Sequence, residues 1–286
     1  MKTAASHSTK TVSAPSSDRL QLGCLAASPA AVQAAIDNGA DWVRIPCRQL
    51  GVAFVNELQE FIIGRLAKAI RYAHRERRKV VLDLNLPVTP AMWPHFRKTI
   101  ACACDEGVEA LMLSDPALAI CCAVHHSGLA LHFVAPPIVT ANTARQLRLQ
   151  LGTSRLLLPP TLSVARIGEI AAINGLELDV LGFGAGVPQT ERHEDDSALR
   201  DNVDSASNDA SFSPGKLAAG TLLQLPRLAE LGIRTIQIEP RIEAPAEVAQ
   251  VTRVWRTAID KCLDDATHYV VNPSWVRQLD ALRVAR

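Results

Sequence analysis

The chain has 286 residues, of which 48% are hydrophobic and 21% are charged, and its formal net charge is +1. A chain of this length can fold as one large α/β barrel or as two smaller domains. The near-zero charge offers no broad basic face, so we expect no tight binding of nucleic acid. No apolar run approaches the roughly 20 residues that would span a bilayer, so we expect no membrane span.

The seven cysteines are not typical of a disulfide framework, because their number is odd and four of them fall within helical patterns. These four are Cys102, Cys104, Cys121 and Cys122. Neighbouring helical residues, or residues two apart, point in different directions, so neither pair can chelate a metal ion alone. We therefore expect small buried thiols, no metal site and a reducing, cytoplasmic location.

In chain order, eight apolar runs have the length and composition of buried parallel strands. They are Leu20–Leu25, Asp41–Ile45, Val80–Leu84, Ala110–Leu113, Leu129–Phe133, Arg155–Leu158, Leu176–Leu181 and Thr235–Ile238. Amphipathic helical segments lie between them, such as Pro29–Asn38 and Ala246–Cys262. Eight strand–helix units predict a closed (β/α)8 TIM-like barrel over residues 19–275, with an open doubly wound sheet as the alternative. Residues 1–18 are predicted to be a disordered tail, and residues 276–286 a C-terminal tail.

The connection after the seventh strand is unusually long. From Pro188 to Pro214 it carries seven acidic and two basic residues and few apolar ones, which predicts a flexible acidic loop. The sequence GFGAGV before it has alternating glycines, but no helix begins directly after them, as a nucleotide-binding motif would require. We interpret these glycines as sites of close backbone packing. The run His193–Asp196 lacks the spacing of a metal site and is interpreted as a solvated charge run.

Polar residues follow the carboxyl ends of several predicted strands, and in a barrel these ends converge on one mouth. The candidate pocket residues are Cys47, Asn85, Asp115, His132, Glu239 and Arg241. Asp115 precedes Pro116 and is equally suited to cap the next helix. Glu239 and Arg241 lie two apart on the predicted eighth strand, so they would face the same way and pair with each other or with a polar ligand. No catalytic residue can be assigned from the pattern.

Several segments taken together resemble the collagenase-like peptidase family of unknown mechanism, family thirty-two. They are AAVQAAIDNGADWVRIP, KVVLDLN, EALMLSDPALA, SRLLLPPTLSVARIGEIA and LLQLPRLAELGIRTIQIEPRIEAPAEVAQVTRVWRTAIDKCLDD. The most specific part is Ile-Glu-x-Arg at Ile238–Arg241, followed by Val-x-x-Val-Trp-Arg at Val251–Arg256. The likeness covers about residues 19–275 and is greatest to the UbiU branch, which acts in ubiquinone biosynthesis.

This resemblance implies a barrel that serves oxygen-independent hydroxylation of the ubiquinone ring beside a homologous UbiV-like subunit, as a heterodimer. Each subunit would hold a [4Fe–4S] cluster through four cysteines. Other relatives hydroxylate RNA bases, and a minority are collagenases. Here the first two cluster positions correspond to Val187 and Glu194, the third falls near Ser211, and the segment that should bear the fourth is deleted. None of these residues replaces a thiolate at an iron–sulfur centre. A family glutamine and a basic residue at the same mouth correspond to Pro136 and Pro160.

We therefore expect a degenerate family member without a cluster, acting as an accessory or regulatory subunit. Two alternatives remain open. One is a hydrolase or peptidase that uses Cys47 as nucleophile with His132 as its base. The other is a non-catalytic scaffold that binds a lipid headgroup or a small aromatic molecule.

Overall fold

The computed structural model describes residues 19–47, 56–85, 93–184, 214–241 and 244–284. Its centre is a closed barrel of eight parallel strands, each paired with the next along the chain and β8 paired with β1. The strands are β1 Gln21–Leu25, β2 Trp42–Pro46, β3 Lys79–Asp83, β4 Ala110–Leu113, β5 Ala130–Val134, β6 Arg155–Leu158, β7 Glu177–Phe183 and β8 Thr235–Ile238. The (β/α)8 prediction is confirmed, and the doubly wound alternative is wrong because the sheet has no open edge.

Helices follow the strands and pack around the barrel. They are α1 Pro29–Asp37, α2 Asn56–Arg75, α3 Trp93–Asp105, α4 Pro116–His125, α5 Ala141–Leu151, α6 Val164–Ala171, α7 Pro214–Glu230, α8 Pro245–Asp264 and α9 Pro273–Val284. Local sequence sets their starts: the Ser28 hydroxyl accepts a hydrogen bond from the Ala31 amide, and Pro29 occupies the first turn. Among the described residues, no helix combines the length and apolarity needed to cross a membrane.

Two apolar layers hold the barrel together. The larger layer lies between strands and helices and contains the periodic face of α8, where Val248, Val251, Trp255 and Ile259 are fully buried. The smaller layer lies inside the barrel and comprises Trp42, Val81, Ala110, Met112, Val134 and Leu157. The outer layer therefore follows directly from the helical and strand periodicities of the sequence.

Polar side chains complete the inside of the barrel, although branched apolar residues usually fill this space. Arg155 of β6 donates to the Thr235 hydroxyl and lies 3.8 Å from a carboxylate oxygen of Asp179 on β7. The Gln237 amide donates to the other Asp179 oxygen at 2.8 Å. Gln237 can lie across β1 because Gly23 has no side chain: a Cβ there would come within 2.3 Å of the Gln237 oxygen. The interior of the barrel therefore contains a polar network of Arg155, Asp179, Thr235 and Gln237.

The predicted domain boundary near the C-terminus differs from the observed one, and other predicted segments lie outside the described residues. The predicted barrel boundary at residue 275 falls inside α9, where Trp275 and Leu279 are 6% and 1% exposed. The helix packs against α7 and α8, because its apolar residues recur on one face. The predicted N-terminal tail, all of the acidic loop before Pro214, and the His193–Asp196 run lie outside the described residues.

Candidate functional site at the barrel mouth

A buried arginine organises the mouth of the barrel. Arg44 is the third residue of β2 and is only 2% exposed. Its Nε and Nη2 atoms donate to one oxygen of Asp83, the last residue of β3, at 3.2 and 2.6 Å. Its Nη1 atom donates to Glu239, directly after β8, at 3.0 Å. One guanidinium therefore ties together three strands at the end of the barrel where the strands terminate.

The electrostatics of this trio favour a permanently charged arginine. Burial alone would lower the pKa of Arg44, but the charges of Asp83 and Glu239 and their hydrogen bonds outweigh it and raise the pKa. Two carboxylates and one guanidinium leave the trio with an excess of one negative charge when all are ionised. Asp83 is 5% exposed and also accepts the Asn85 backbone amide at 2.9 Å, whereas the Glu239 side chain is 21% exposed. Glu239 is thus the member of the trio that a ligand can reach.

Two glycines at the end of β7 allow close packing, one of them against Glu239 of this site. Gly184 has a φ of +137°, and a Cβ there would lie 2.7 Å from the Cβ of Glu239. Gly182 would bring a Cβ within 2.6 Å of Ile236 and 2.8 Å of Trp255. The interpretation of close backbone packing is confirmed for these two positions, while Gly186 lies outside the described residues.

The predicted pair of Glu239 and Arg241 does not form. Strand β8 ends at Ile238, so both residues lie beyond the strand and the two-residue period no longer fixes their directions. Glu239 binds Arg44, whereas the Arg241 side chain donates to Glu247 in the first turn of α8. The same carboxylate accepts the Arg241 backbone amide at 2.9 Å. Arg241 therefore fixes the junction between β8 and α8.

Cys47 and His132 lie in different parts of the barrel. Cys47 follows the carboxyl end of β2, whereas His132 is the middle residue of β5 and packs edge-on against Trp42, the first residue of β2, at 5.7 Å. Trp42 and Cys47 are five residues apart, which is about 16 Å along a strand. The sequence placed His132 near the carboxyl end of the fifth strand, whereas in the structure it is the middle residue of β5, which continues to Val134.

Both side chains are held in their neutral forms. Burial, followed by the nearby charge of Asp83, raises the pKa of the Cys47 thiol well above its usual value. Burial, followed by the charges of Arg155, Arg44 and Lys79, lowers the pKa of His132 well below its usual value. A protonated thiol is a weak nucleophile, and its proposed base is remote. The geometry therefore gives no support to a Cys47–His132 hydrolase.

The remaining candidates have structural partners. Asp115 accepts the Leu118 amide at 2.9 Å and caps α4, as its position before Pro116 indicated. Asn85 is half-buried just after β3, next to Asp83. Of the predicted residues, Asn85 and Glu239 lie at the mouth, near an arginine that the sequence did not single out, whereas the Cys47 side chain is buried in the larger apolar layer. Arg44 could have been recognised in the sequence, because it is a charged residue inside an otherwise apolar strand.

A [4Fe–4S] cluster requires four thiolates around one point, and the donors in this chain do not meet that requirement. The sequence contains no cysteine between Cys122 and Cys262, so the long connection after β7 supplies none. Cys24 accepts a hydrogen bond from Thr252 of α8 on the outside of the barrel. Val187, Glu194 and Ser211 lie outside the described residues, and within the described ranges no three His, Cys, Asp or Glu side chains could hold a metal ion.

Two kinds of solved structure share the fold. A thiamine phosphate pyrophosphorylase from Pyrococcus furiosus superposes with a TM-score of 0.54 at 10% identity, over 86% of this chain and 98% of that one. The homocysteine methyltransferase MmuM from Escherichia coli superposes with a TM-score of 0.50 at 13% identity, over 84% and 96% of the two chains. Identities this low establish the barrel fold alone.

Sequence relatives are more informative. The chain is 21% identical to tRNA hydroxylation protein P1 of Bacillus subtilis, over 86% of this chain and 64% of the relative, which is less than two thirds of its length. It is 22% identical to tRNA hydroxylation protein P2 of the same organism, over 78% of this chain and 82% of the relative. The sequence model of peptidase family U32 matches residues 27–193 and 189–285, which together make up most of the chain. The chain therefore belongs to peptidase family U32.

Proposed function

We propose that this chain is a cluster-less accessory or regulatory subunit of an oxygen-independent hydroxylation system. One observation carries the proposal: the family barrel and its polar mouth are present, while the connection after β7 contains no cysteine. Strand β7, which precedes that connection, pairs with β6 and with β8 along its own length. A barrel of this kind can still bind a ring-shaped substrate or a partner without supplying electrons itself.

The substrate of the system would be an aromatic or heteroaromatic ring. The names of the relatives support a tRNA base, and the likeness to the UbiU branch supports a ubiquinone precursor. At the mouth, the accessible Glu239 carboxylate and the excess negative charge favour a neutral ring with N–H or O–H donors over an anion. Both ring classes meet this requirement.

A homologous family member is the partner that such a role requires. A subunit that keeps its four cysteines would carry the redox chemistry, and this chain would assist substrate binding or control access. That tRNA hydroxylation proteins P1 and P2 of one organism both match this chain supports a paired arrangement.

Gene deletion in the encoding organism, followed by growth without oxygen, tests the proposal. Mass spectrometry of tRNA nucleosides and of quinone intermediates should reveal the loss of one hydroxylated product and restoration by the wild-type gene. Glu239→Gln should restore it poorly, whereas Glu169→Gln, a change in an exposed carboxylate on α6, should restore it fully. Unchanged levels of both product classes would refute a role in hydroxylation. A non-catalytic binding scaffold would then be the remaining alternative.

A further inference from the structure

A second cleft lies on the outside of the barrel, between α3 and α4. Its volume is about 540 Å³, within the range of small-molecule sites. Its lining residues are Trp93, Pro94, Arg97, Lys98, Ile100, Ala101, Cys121, Cys122, His125 and His126. These residues belong to the helical layer, so the cleft is separate from the mouth that Arg44 organises.

The cleft exists because the ring of helices is loosely closed at this point. Helix α3 packs against α2, and α4 packs against α5, but α3 and α4 have few contacts with each other. Three of the lining side chains are small: Ala101 on α3, and Cys121 and Cys122 on α4. Leucine-sized residues at these positions would fill the space, so the open volume is encoded in the sequence.

The charge of the lining has one sign. Arg97 and Lys98 contribute two cations and His125 and His126 two imidazoles, and the described residues that line the cleft include no carboxylate. Arg166 on α6, by comparison, pairs with Glu169 at 3.1 Å. Arg97 has no such ion pair within the described part of the chain. An exposed guanidinium beside an apolar gap is suited to hold a carboxylate or phosphate by two hydrogen bonds.

Apolar walls flank this basic group. Trp93 is half-buried at the start of α3 and offers an aromatic face, and Ile100 and Pro94 extend the apolar surface. Flat rings stack on such surfaces. From the open volume, the uniform charge and the aromatic wall, we infer that the α3–α4 cleft binds an aromatic ring that carries an anionic group, a carboxylate or a phosphate.

Tryptophan fluorescence provides a direct assay. The chain has four tryptophans, and Trp42, Trp255 and Trp275 are all at most 6% exposed, so quenching by a cleft ligand reports on Trp93. The probes are benzoate with its neutral analogue benzamide, and uridine 5′-monophosphate with its neutral analogue uridine. The inference predicts saturable quenching by at least one anion and at least about tenfold weaker quenching by its neutral analogue. The anion that binds identifies a carboxylate or a phosphate source.

Two variants and a control complete the test on the full chain. Arg97→Gln should weaken binding of the anion about tenfold, and Ala101→Phe should abolish it by filling the gap. Arg145→Gln, which removes an exposed arginine from α5, should leave binding unchanged. Circular dichroism verifies that each variant is folded. Absence of saturable quenching by both anions at about 10 mM, equal binding of anion and neutral analogue, or equal effects of Arg97→Gln and Arg145→Gln would overturn the inference.

Discussion

Replacing Arg44 with methionine tests whether the mouth depends on its buried cation. The change keeps much of the side-chain volume but leaves Asp83 and Glu239 without the charge that they share. Removing one partner of a buried ion pair typically costs about 3–5 kcal/mol of unfolding free energy. Since Glu239 is 21% exposed and can be hydrated, we expect the lower part of this range, about 3 kcal/mol.

Urea unfolding followed by circular dichroism measures this difference. The unfolding free energy of Arg44→Met should be about 3 kcal/mol lower than that of the wild type in the same buffer. Arg166→Gln, which breaks an exposed pair on α6, should cost less than about 1 kcal/mol. A loss for Arg44→Met no larger than for this control would refute the buried-trio argument.

Four further results follow from the structure. Cys47 should react with iodoacetamide at least about tenfold more slowly than the more accessible Cys121, as measured by peptide mass spectrometry, and equal rates would contradict its burial. Gly182→Ala should lower the unfolding free energy by about 1–3 kcal/mol because of its clash with Trp255, whereas Gly220→Ala in the open middle of α7 should raise it by roughly 0.5–1 kcal/mol. The pKa of His132 is lowered in the folded chain, so below about pH 6.5 the unfolded chain binds more protons and the wild type loses stability as the pH falls. His132→Gln should therefore reduce the loss of unfolding free energy between about pH 7 and pH 5. An unchanged dependence of unfolding free energy on pH would contradict this. Protein purified without oxygen should contain far less than the roughly four irons per chain of a [4Fe–4S] cluster, and stoichiometric iron would imply ligands from a partner.

The fold could be predicted from the sequence because its signals are local and repeated. Each buried strand is a short apolar run, and the predicted bounds differ from the observed ones by only one or two residues, as for Leu129–Phe133 against β5. Residues at the starts of the helices can be recognised in the sequence because their side chains accept hydrogen bonds from backbone amides of the first turn, as Ser28 and Asp115 do. Closure into a barrel followed from the count of eight strand–helix units and needed no long-range information.

The site was harder to predict because its contacts are long-range. Arg44 and Glu239 are separated by 195 residues along the chain, and only the closed barrel brings them together. Strand ends pointed to Glu239, but not to its contact with Arg44. Strand β8 ends at Ile238, before both Glu239 and Arg241, so the two side chains no longer share a face and do not pair. His132 was placed too near the mouth, because β5 runs one residue beyond the predicted Phe133, to Val134, and His132 is its middle residue.

The contacts that organise the mouth are formed by the strands of the barrel. The polar network of Arg155, Asp179 and Gln237 and the trio around Arg44 both lie on strands or directly after them. The guanidinium of Arg44 joins β2 to Asp83 at the end of β3 and to Glu239 directly after β8. A change at Arg44 would therefore affect both the mouth and the barrel that carries it.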